Sequence, residues 1–192
     1  AYIDRLAKIW DTRHAVPGHI EQVAALARAA GAPMLSHDDN TPLIRDYYRA
    51  RGARISEFPM TVETARAARA AGDAIVFGAP NAVRGGSHIG SPSTAVMVAE
   101  GWCDMLASDY FYPALLIAVA RLVANGVTTL EQAWALVSAN PAQASGLTDR
   151  GRLAPGLRAD VVAVDWPEGG TPAVRATFSA GRIAHLSGLA PV

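Results

Sequence analysis

The chain has 192 residues with 17 basic and 17 acidic side chains, so its formal net charge is +0. A chain without net positive charge lacks the broad field that attracts nucleic acid or anionic membranes, and neither partner is expected. Its longest apolar stretch, residues 114–120, is far shorter than the roughly 20 residues that cross a bilayer, and it predicts a buried helix.

The single cysteine, Cys103, excludes an internal disulfide and is typical of a protein of the reducing cytoplasm. Its neighbours include no His or Asn pattern that would activate a thiol, so we expect it to be buried and unreactive. The chain begins at Ala1 without an initiator methionine or the features of a signal peptide. We therefore expect a piece of a longer cytoplasmic protein.

Apolar segments alternate with Ala-rich segments over the first 150 residues, which is typical of βαβ units around a parallel sheet. Thr41 is suited to cap the helix that it precedes. Thr61 precedes another predicted helix, but Thr64 stands where a capping box has Glu, so an incomplete cap is expected there. In chain order the pattern predicts helix 19–30, strand 33–36, helix 42–50, strand 54–58, helix 62–71, strand 74–77, helix 93–100, strand 105–108, helix 112–123 and helix 130–138, which ends near Asn140-Pro141.

A different pattern begins near residue 150. Three short strands, 159–164, 174–178 and 183–186, are separated by turns. We therefore predict an α/β unit over residues 1–150 and a small β unit over residues 151–192. The four strand–helix units amount to half of a (β/α)8 barrel, which takes roughly 250 residues when complete. We expect exposed apolar surface along the first and last strands of such an open sheet.

Ionisable side chains stand at the ends of three predicted strands. Ser36–Asp39 follows the first strand, Glu57 lies at the end of the second and Asp109 follows the fourth. Parallel strands bring their C-terminal ends to one rim, so we expect these side chains to be neighbours. Imidazole and carboxylate groups bind divalent cations, and His37, supported by the two aspartates after it, predicts a metal site.

Two of these residues have alternative roles that the pattern leaves open. Glu57 is a competent ligand for Mg²⁺ or Mn²⁺, or it pairs with Arg54 or Arg84. Asp109 belongs to the site, caps the following helix, or does both, because Asp is a preferred N-cap and Pro113 stands near that helix start.

The segment 78–88 lies between the acidic strand ends, and its small residues with one arginine and one histidine predict an anion-binding loop. Arginine grips phosphate, glycines let backbone N–H groups approach an anion, and a serine hydroxyl adds a donor. His88 would bind phosphate, protonate a leaving group or reach a metal. The alternative for the whole segment is a flexible surface loop without a binding role. The candidate substrate-binding residues are Asn81, Arg84, Gly85, Gly86 and Ser87.

Several segments together resemble the C-terminal half of amidohydrolase-superfamily enzymes. The closing segment Gly151–Val162 has that superfamily's pattern of glycine, basic residue, Ala-Asp and apolar residues. More narrowly, the chain is similar to the PhnM family, the α-D-ribose 1-methylphosphonate 5-triphosphate diphosphatases of the carbon–phosphorus lyase pathway. This likeness lies in Ser36–Asp39, Glu57–Pro59, Gly78–Asn81, Val83–His88 and Ser108–Tyr110.

The resemblance implies the second half of a metal-dependent (β/α)8 TIM-type barrel, followed by strands of a β-sandwich. It implies that His37 and Asp109 hold a divalent metal, Zn²⁺, Mn²⁺ or Mg²⁺, with Glu57 as a further candidate ligand. Asp109 and His88 are the candidate catalytic residues, with Asp109 moving a proton. The implied substrate is a phosphorylated small molecule, the 5-triphosphate, cleaved to the 5-phosphate and pyrophosphate.

The family's first-strand metal ligands have no counterpart in this sequence. The N-terminal half of the same enzyme is therefore the expected partner, and a homo-oligomer stays open. Two other interpretations also stay open: a deaminase or cyclic-amide hydrolase on the same scaffold, and a non-catalytic fragment that lacks the N-terminal metal ligands. The basic, glycine-containing segment argues against the deaminase.

Overall fold

A computed structural model of the chain describes residues 2–86 and 90–188. Its helices are α1 Tyr2–Asp11, α2 Val16–Ala29, α3 Pro42–Ala50, α4 Val62–Ala70, α5 Ala79–Arg84, α6 Thr94–Ala99, α7 Ala114–Ala124, α8 Leu130–Ala135 and α9 Ala139–Ala144, with a 3-10 turn at Arg13–Ala15. Its strands are β1 Met34–His37, β2 Ala53–Glu57, β3 Ala74–Gly78, β4 Met105–Ala107, β5 Val161–Asp165, β6 Ala173–Ser179 and β7 Arg182–Leu186. The predicted alternation of strands and helices is confirmed.

Strands β1 to β4 form one parallel sheet in the order β1-β2-β3-β4. The register places His37 opposite Glu57 and Gly78 opposite Ala107. The C-terminal ends of the four strands therefore lie along one edge, which we call the rim. The prediction that His37, Glu57, Gly78 and Asp109 gather at one edge of the sheet is confirmed.

The core lies between this sheet and the helices packed against it. β3 is the most deeply buried strand, with Ile75, Val76 and Phe77 all less than a tenth exposed. α7 contacts α5 and contributes the buried residues Ala118 and Leu122. The burial of successive residues explains why the β3 sequence is continuously apolar instead of alternating.

The apolar stretch at residues 114–120 forms most of α7, and the predicted buried helix is confirmed there. In the part of the chain that the structure describes, no helix combines the length and apolar character needed to cross a membrane. Cys103 is buried, as predicted, and this burial raises the pKa of its thiol to about 12.

Thr41 caps α3 as predicted, and Thr61 also caps α4. Thr41 accepts a hydrogen bond from the backbone N–H of Ile44 at 3.3 Å, and Thr61 accepts one from Thr64 at 3.1 Å. Pro42 occupies the first turn of α3, where an N–H would have no helical partner. These caps fix where the chain turns from the rim into each helix.

Two predictions of local structure are wrong. The predicted loop over residues 78–88 contains α5, because Pro80 in its first turn and the neighbouring alanines favour a helix. The predicted helix end at Asn140-Pro141 instead lies in the first turn of α9. A proline there removes only an N–H that has no helical partner, so in both places proline begins a helix.

The two edges of the parallel sheet differ. Along β1, Leu35 is 51% exposed and lines a groove with Val23 of α2, which is 64% exposed. At β4, the backbone N–H of Leu106 donates to the carbonyl of Leu136, so the segment after α8 covers this edge. The predicted exposed apolar surface is confirmed at the first strand and wrong at the last.

Strands β5, β6 and β7 form a separate antiparallel sheet in that order, which confirms the three predicted strands. Asp160 accepts hydrogen bonds from the backbone N–H of Ala180 and from Arg158, both at 2.8 Å. It ties the start of β5 to the turn between β6 and β7. The grouping of these strands into a unit that begins at residue 151 stays a prediction.

Candidate functional site

Three residues at the rim adopt the left-handed backbone conformation although they are not glycines. Asp38, Phe58 and Asp109 follow β1, β2 and β4, with φ of 60°, 53° and 51°. This conformation costs such residues about 1–3 kcal/mol, and strain of this kind concentrates at functional sites. Phe58 is the most unusual of the three, because bulky side chains rarely adopt it.

His37 is half-exposed, and each of its ring nitrogens faces a carboxylate. Its Nδ1 lies 3.0 Å from Oδ2 of Asp38, and its Nε2 lies 4.0 Å from Oε2 of Glu57 on the neighbouring strand. The Phe58 ring meets the imidazole edge-on, with 5.1 Å between the ring centroids. Asp38 therefore orients the imidazole through Nδ1 and leaves Nε2 facing Glu57.

The separation between His37 and Glu57 suits two ligands of one cation. Bonds from Zn²⁺ to nitrogen or oxygen are about 2.0–2.2 Å, so two donors of one tetrahedral ion lie roughly 3.3–3.6 Å apart. The observed 4.0 Å is within about half an ångström of that separation and is too long for a hydrogen bond. Over residues 2–86 and 90–188, no group of three or more His, Cys, Asp or Glu side chains is arranged to hold a metal. The pair fits part of a metal site.

A pocket of about 150 Å³ opens at the rim. It brings together three of the predicted site residues, and His37 borders it through the ring contact with Phe58. The lining residues that matter for the chemistry are Asp38, Phe58, Asn81, Arg84, Asp109 and Tyr110.

Asp109 lies in the segment between β4 and α7 and lines this pocket. α7 begins at Ala114 with Pro113 at its N-cap position, and no side chain caps it. The alternative role of Asp109 as the cap of that helix is therefore wrong. Asp109 and Arg84 line the same pocket, and the roles of Asp109 at a metal and in proton transfer stay predictions.

Arg84 ends α5 and is held at the rim by Tyr110. Its Nη1 donates a hydrogen bond to the Tyr110 hydroxyl, and the guanidinium carbon lies 5.9 Å from the ring centroid. Both contacts orient the guanidinium. Glu57 faces His37, whereas Arg54 lies 3.9 Å from Asp73 and Arg84 bonds to Tyr110. The alternative ion pairs of Glu57 with Arg54 or Arg84 are therefore wrong.

Asn81 uses its hydrogen-bonding groups within the local fold. Its backbone carbonyl accepts from the N–H groups of Gly85 and Gly86, each at 3.1 Å. Its side-chain Oδ1 accepts from the N–H of Thr94 at 3.0 Å, and its Nδ2 donates to the carbonyl of Pro92 at 3.3 Å. Because α5 replaces the predicted loop, the two glycine N–H groups close the helix end instead of pointing freely at an anion. The substrate contacts of these residues stay predictions.

Ser87 and His88, the remaining predicted site residues, lie outside the described residues. Sequence reasoning missed Phe58 and Tyr110 as site residues. The signal for both was available, because each stands directly after an ionisable residue at a predicted strand end.

A network of buried charges lies behind the rim, between α3 and the sheet. Arg45 of α3 is fully buried, as are the side chains of Asp39 and Asp73 on either side of it. Burial lowers the pKa of Arg45, and the two carboxylates oppose that shift. Asp39, expected to support His37 at the metal, instead turns its carboxylate into this network. Sequence reasoning missed Arg45, since one arginine within a polar helix carries no signal of burial.

Comparison with known proteins places the chain among hydrolases. The model of the Amidohydrolase family matches residues 8–185. The chain is 46% identical over 145 residues to the Escherichia coli (strain K12) alpha-D-ribose 1-methylphosphonate 5-triphosphate diphosphatase. The match covers 74% of this chain and 38% of that enzyme, so the chain spans well under half the length of this relative.

Solved structures share the fold at low sequence identity. A prolidase complexed with N-methylphosphonate-L-proline aligns at a TM-score of 0.63 and 17% identity, covering 88% of this chain and 48% of the prolidase. The 5-methylcytosine deaminase from Klebsiella pneumoniae, liganded with 5-fluorocytosine, aligns at a TM-score of 0.60 and 15% identity. This alignment covers 91% of this chain and 53% of the deaminase. The parallel sheet with its rim of ionisable residues, and the family match over most of its length, show that the chain belongs to the amidohydrolase family.

Proposed function

We propose that the chain is the C-terminal part of a hydrolase of phosphonate utilisation, which cleaves α-D-ribose 1-methylphosphonate 5-triphosphate. Water adds across a phosphoanhydride bond, and the products are the 5-phosphate and pyrophosphate. The observation that carries this proposal is the 46% identity to the E. coli diphosphatase. The rim supports it, because an imidazole, carboxylates and an arginine meet there at one pocket.

In this proposal residues 1–150 form the second half of a (β/α)8 barrel, and residues 151–192 contribute strands to a β-sandwich. The N-terminal half of the same enzyme would then lie against the open edge at β1. The groove at that edge, about 390 Å³, is lined by apolar residues that include Val23 and Leu35. α1 has no buried residue and leaves Ile3 and Trp10 more than half exposed. A second copy of the chain is the alternative occupant of this edge.

His37 and Glu57 are the proposed metal ligands at adjacent strand ends, with Asp109 as a third. Imidazole and carboxylate donors suit Zn²⁺, Mn²⁺ or Mg²⁺. A divalent cation supplies a water molecule of lowered pKa and positive charge next to phosphoryl oxygens. Asp38 holds the imidazole at Nδ1, so that Nε2 is the nitrogen that binds.

Asp109 is the proposed acceptor of the proton from the attacking water, and His88 the proposed donor to the leaving pyrophosphate. Arg84 neutralises phosphate charge together with Ser87. Tyr110 sets the direction of Arg84 through its hydroxyl. Asn81, Gly85 and Gly86 shape the end of α5 from which Arg84 projects.

The proposal is tested by pyrophosphate release from the triphosphate substrate by the full-length protein with added Mn²⁺. We expect Asp109→Asn to lower kcat about 10²–10⁴-fold with little change in KM, because the proton moves only in the transition state. We expect Arg84→Ala to raise KM at least as strongly as it lowers kcat, because phosphate charge is already present in the ground state. Arg121→Ala on the exposed side of α7 is the matched control and leaves both constants unchanged.

Three results would contradict the proposal in different ways. Near-normal turnover of Asp109→Asn would exclude its role in proton transfer. Ammonia release from nucleobases or cyclic amides, without pyrophosphate release, would favour the deaminase or cyclic-amide alternative. A full-length protein without any of these activities would favour the non-catalytic alternative. The chain by itself is expected to be inactive, because it lacks the N-terminal metal ligands of the proposed site.

A further inference from the structure

Arg45 contacts both ends of the short segment that carries His37. Its Nη1 donates to the Ser36 hydroxyl, one residue before His37, and to Oδ2 of Asp39, two residues after it, at 3.2 Å. The Ser36 hydroxyl itself donates to Oδ2 of Asp39. The three side chains form a closed ring of hydrogen bonds, and all are buried.

The same guanidinium is fixed to the sheet and to a second carboxylate. Nη1 also donates to the carbonyl of Ile55 at 3.2 Å, and Nη2 donates to the carbonyl of Ala53, both on β2. Nε lies 3.3 Å from Oδ2 of Asp73, just before β3. Arg45 therefore joins the end of β1 to the neighbouring strand and to the start of the next.

The alternation of side chains along a strand links this ring to His37. Successive residues of a strand point to opposite faces, so Ser36 on the helix side directs His37 to the other side. Pairing in register puts Glu57 on the same side as His37. Directly after His37 the chain turns through Asp38 at φ 60°, a conformation that the surrounding structure must impose. Asp39, bonded to Arg45, is the far anchor of that turn.

Burying these charges costs desolvation free energy, which offsets much of what their ion pairs contribute to stability. Well-packed apolar side chains of similar volume often give the same or greater folding stability, whereas buried ion networks in some proteins fix one specific arrangement. The bonds of Arg45 converge on the residues that flank His37, so the arrangement they fix is that of the β1 end.

We propose that Arg45 is a positioning residue that holds the His37 imidazole in the orientation required to bind a divalent cation with Glu57. The inference rests on the proposed function, in which His37 is a metal ligand. Arg45 acts from behind the sheet through Ser36 and Asp39, and it does not touch the pocket.

The test compares variants of the full-length protein by their affinity for Mn²⁺ alone, measured by calorimetry. The triple variant Arg45→Met, Asp39→Asn, Asp73→Asn removes the network, and Arg49, which loses the charge of Asp73, keeps its ion pair with Asp46. Loss of a residue that orients a metal ligand typically weakens metal binding about 10–100-fold, and we expect a loss in this range. Arg49→Met is the matched control, because Arg49 bonds to Asp73 at 2.7 Å but makes no contact with Ser36 or Asp39 in the described structure.

A second measurement does not depend on metal. In the metal-free protein we expect a proton–proton Overhauser contact between the His37 and Phe58 rings, whose centroids are 5.1 Å apart. The contact is expected to disappear in the triple variant and to persist in Arg49→Met. A folded triple variant with unchanged Mn²⁺ affinity and an unchanged ring contact would overturn the inference.

Two further variants keep the outcomes distinct. If the triple variant does not fold, Ser36→Ala decides the matter, because it removes the hydroxyl that joins Arg45 to β1 and creates no buried charge. We expect it to weaken Mn²⁺ binding about tenfold, and unchanged binding with an unchanged ring contact would overturn the inference.

His37→Ala tests the proposed function separately. If it leaves Mn²⁺ affinity unchanged, the metal role of His37 is wrong, and the ring contact alone then decides the role of Arg45.

Discussion

The two sheets of this chain use the same ion pair, arginine with aspartate, in opposite environments. Behind the parallel sheet, Arg45 and Asp73 are fully buried. On the antiparallel sheet, Arg175 and Asp165 approach to 2.5 Å, but each is about half exposed. When one partner of the exposed pair is removed, water can solvate the remaining charge. When one partner of the buried pair is removed, the remaining charge has only the protein around it.

The buried ion pair restricts the positions of the elements around it, whereas the exposed ion pair lies on the surface and has little effect on them. A buried charge must keep its partners, so the network around Arg45 restricts the positions of β1, β2 and α3. An exposed pair exchanges readily with water and restricts little. The rim with its candidate chemistry lies on the restricted sheet, where precise placement of side chains is possible.

The largest expected difference between the sheets comes from removing one partner of each pair. Asp73→Ala leaves Arg45 and Arg49 without a shared carboxylate, and we expect a loss of about 3–5 kcal/mol in the free energy of unfolding. Asp165→Ala is the matched control, with an expected loss below about 1 kcal/mol. Urea denaturation of the full-length protein measures both. Equal losses would contradict the comparison.

The same contrast applies to apolar side chains of one type. Ile75 of β3 is fully buried, whereas Ile183 of β7 is 61% exposed. Ile75→Ala creates a cavity in the core and is expected to cost about 2–5 kcal/mol. Ile183→Ala is expected to cost well under 1 kcal/mol, because surface substitutions usually stay within about 0.5 kcal/mol. A large effect of Ile183→Ala would mean that another part of the protein covers β7.

Local signals in the sequence were sufficient for most of the elements and for the rim. The Thr41 hydroxyl followed by Pro42 is a helix start whose physics is complete within four residues. Apolar segments followed by ionisable residues located the strand ends, and parallel connectivity then required that His37, Glu57 and Asp109 lie on one edge. These inferences need no knowledge of distant contacts.

Two of the errors and omissions have a common physical cause, which is dependence on distant partners. The burial of Arg45 depends on Asp73, which belongs to another strand–helix unit. The covered edge of β4 depends on the backbone of Leu136. The predicted loop at 78–88 was wrong for a different reason, because glycine and arginine outweighed the helix-starting role of Pro80.

The smallest expected effect is a pH dependence at Asp160, at the start of the antiparallel sheet. The hydrogen bond from the Ala180 N–H, followed by that from Arg158, lowers the pKa of this carboxyl below its ordinary 3.8. Because the folded state favours the ionised form, Asp160 stabilises the fold above about pH 4, and the contribution is lost as pH falls through the lowered pKa. The group is open to water, so the effect on stability is small.

The Ala180 amide proton reports this titration directly, because its N–H donates to Asp160 at 2.8 Å. We expect its chemical shift in the full-length protein to titrate with a midpoint below 3.8, and Asp160→Asn to abolish that titration. The variant keeps an oxygen that accepts from Ala180 but loses the charge that faces Arg158. The Tm difference between the two proteins should therefore be largest near neutral pH and shrink below about pH 4. A midpoint above 3.8, or a difference that grows in acid, would show that the charge of Asp160 does not stabilise this sheet.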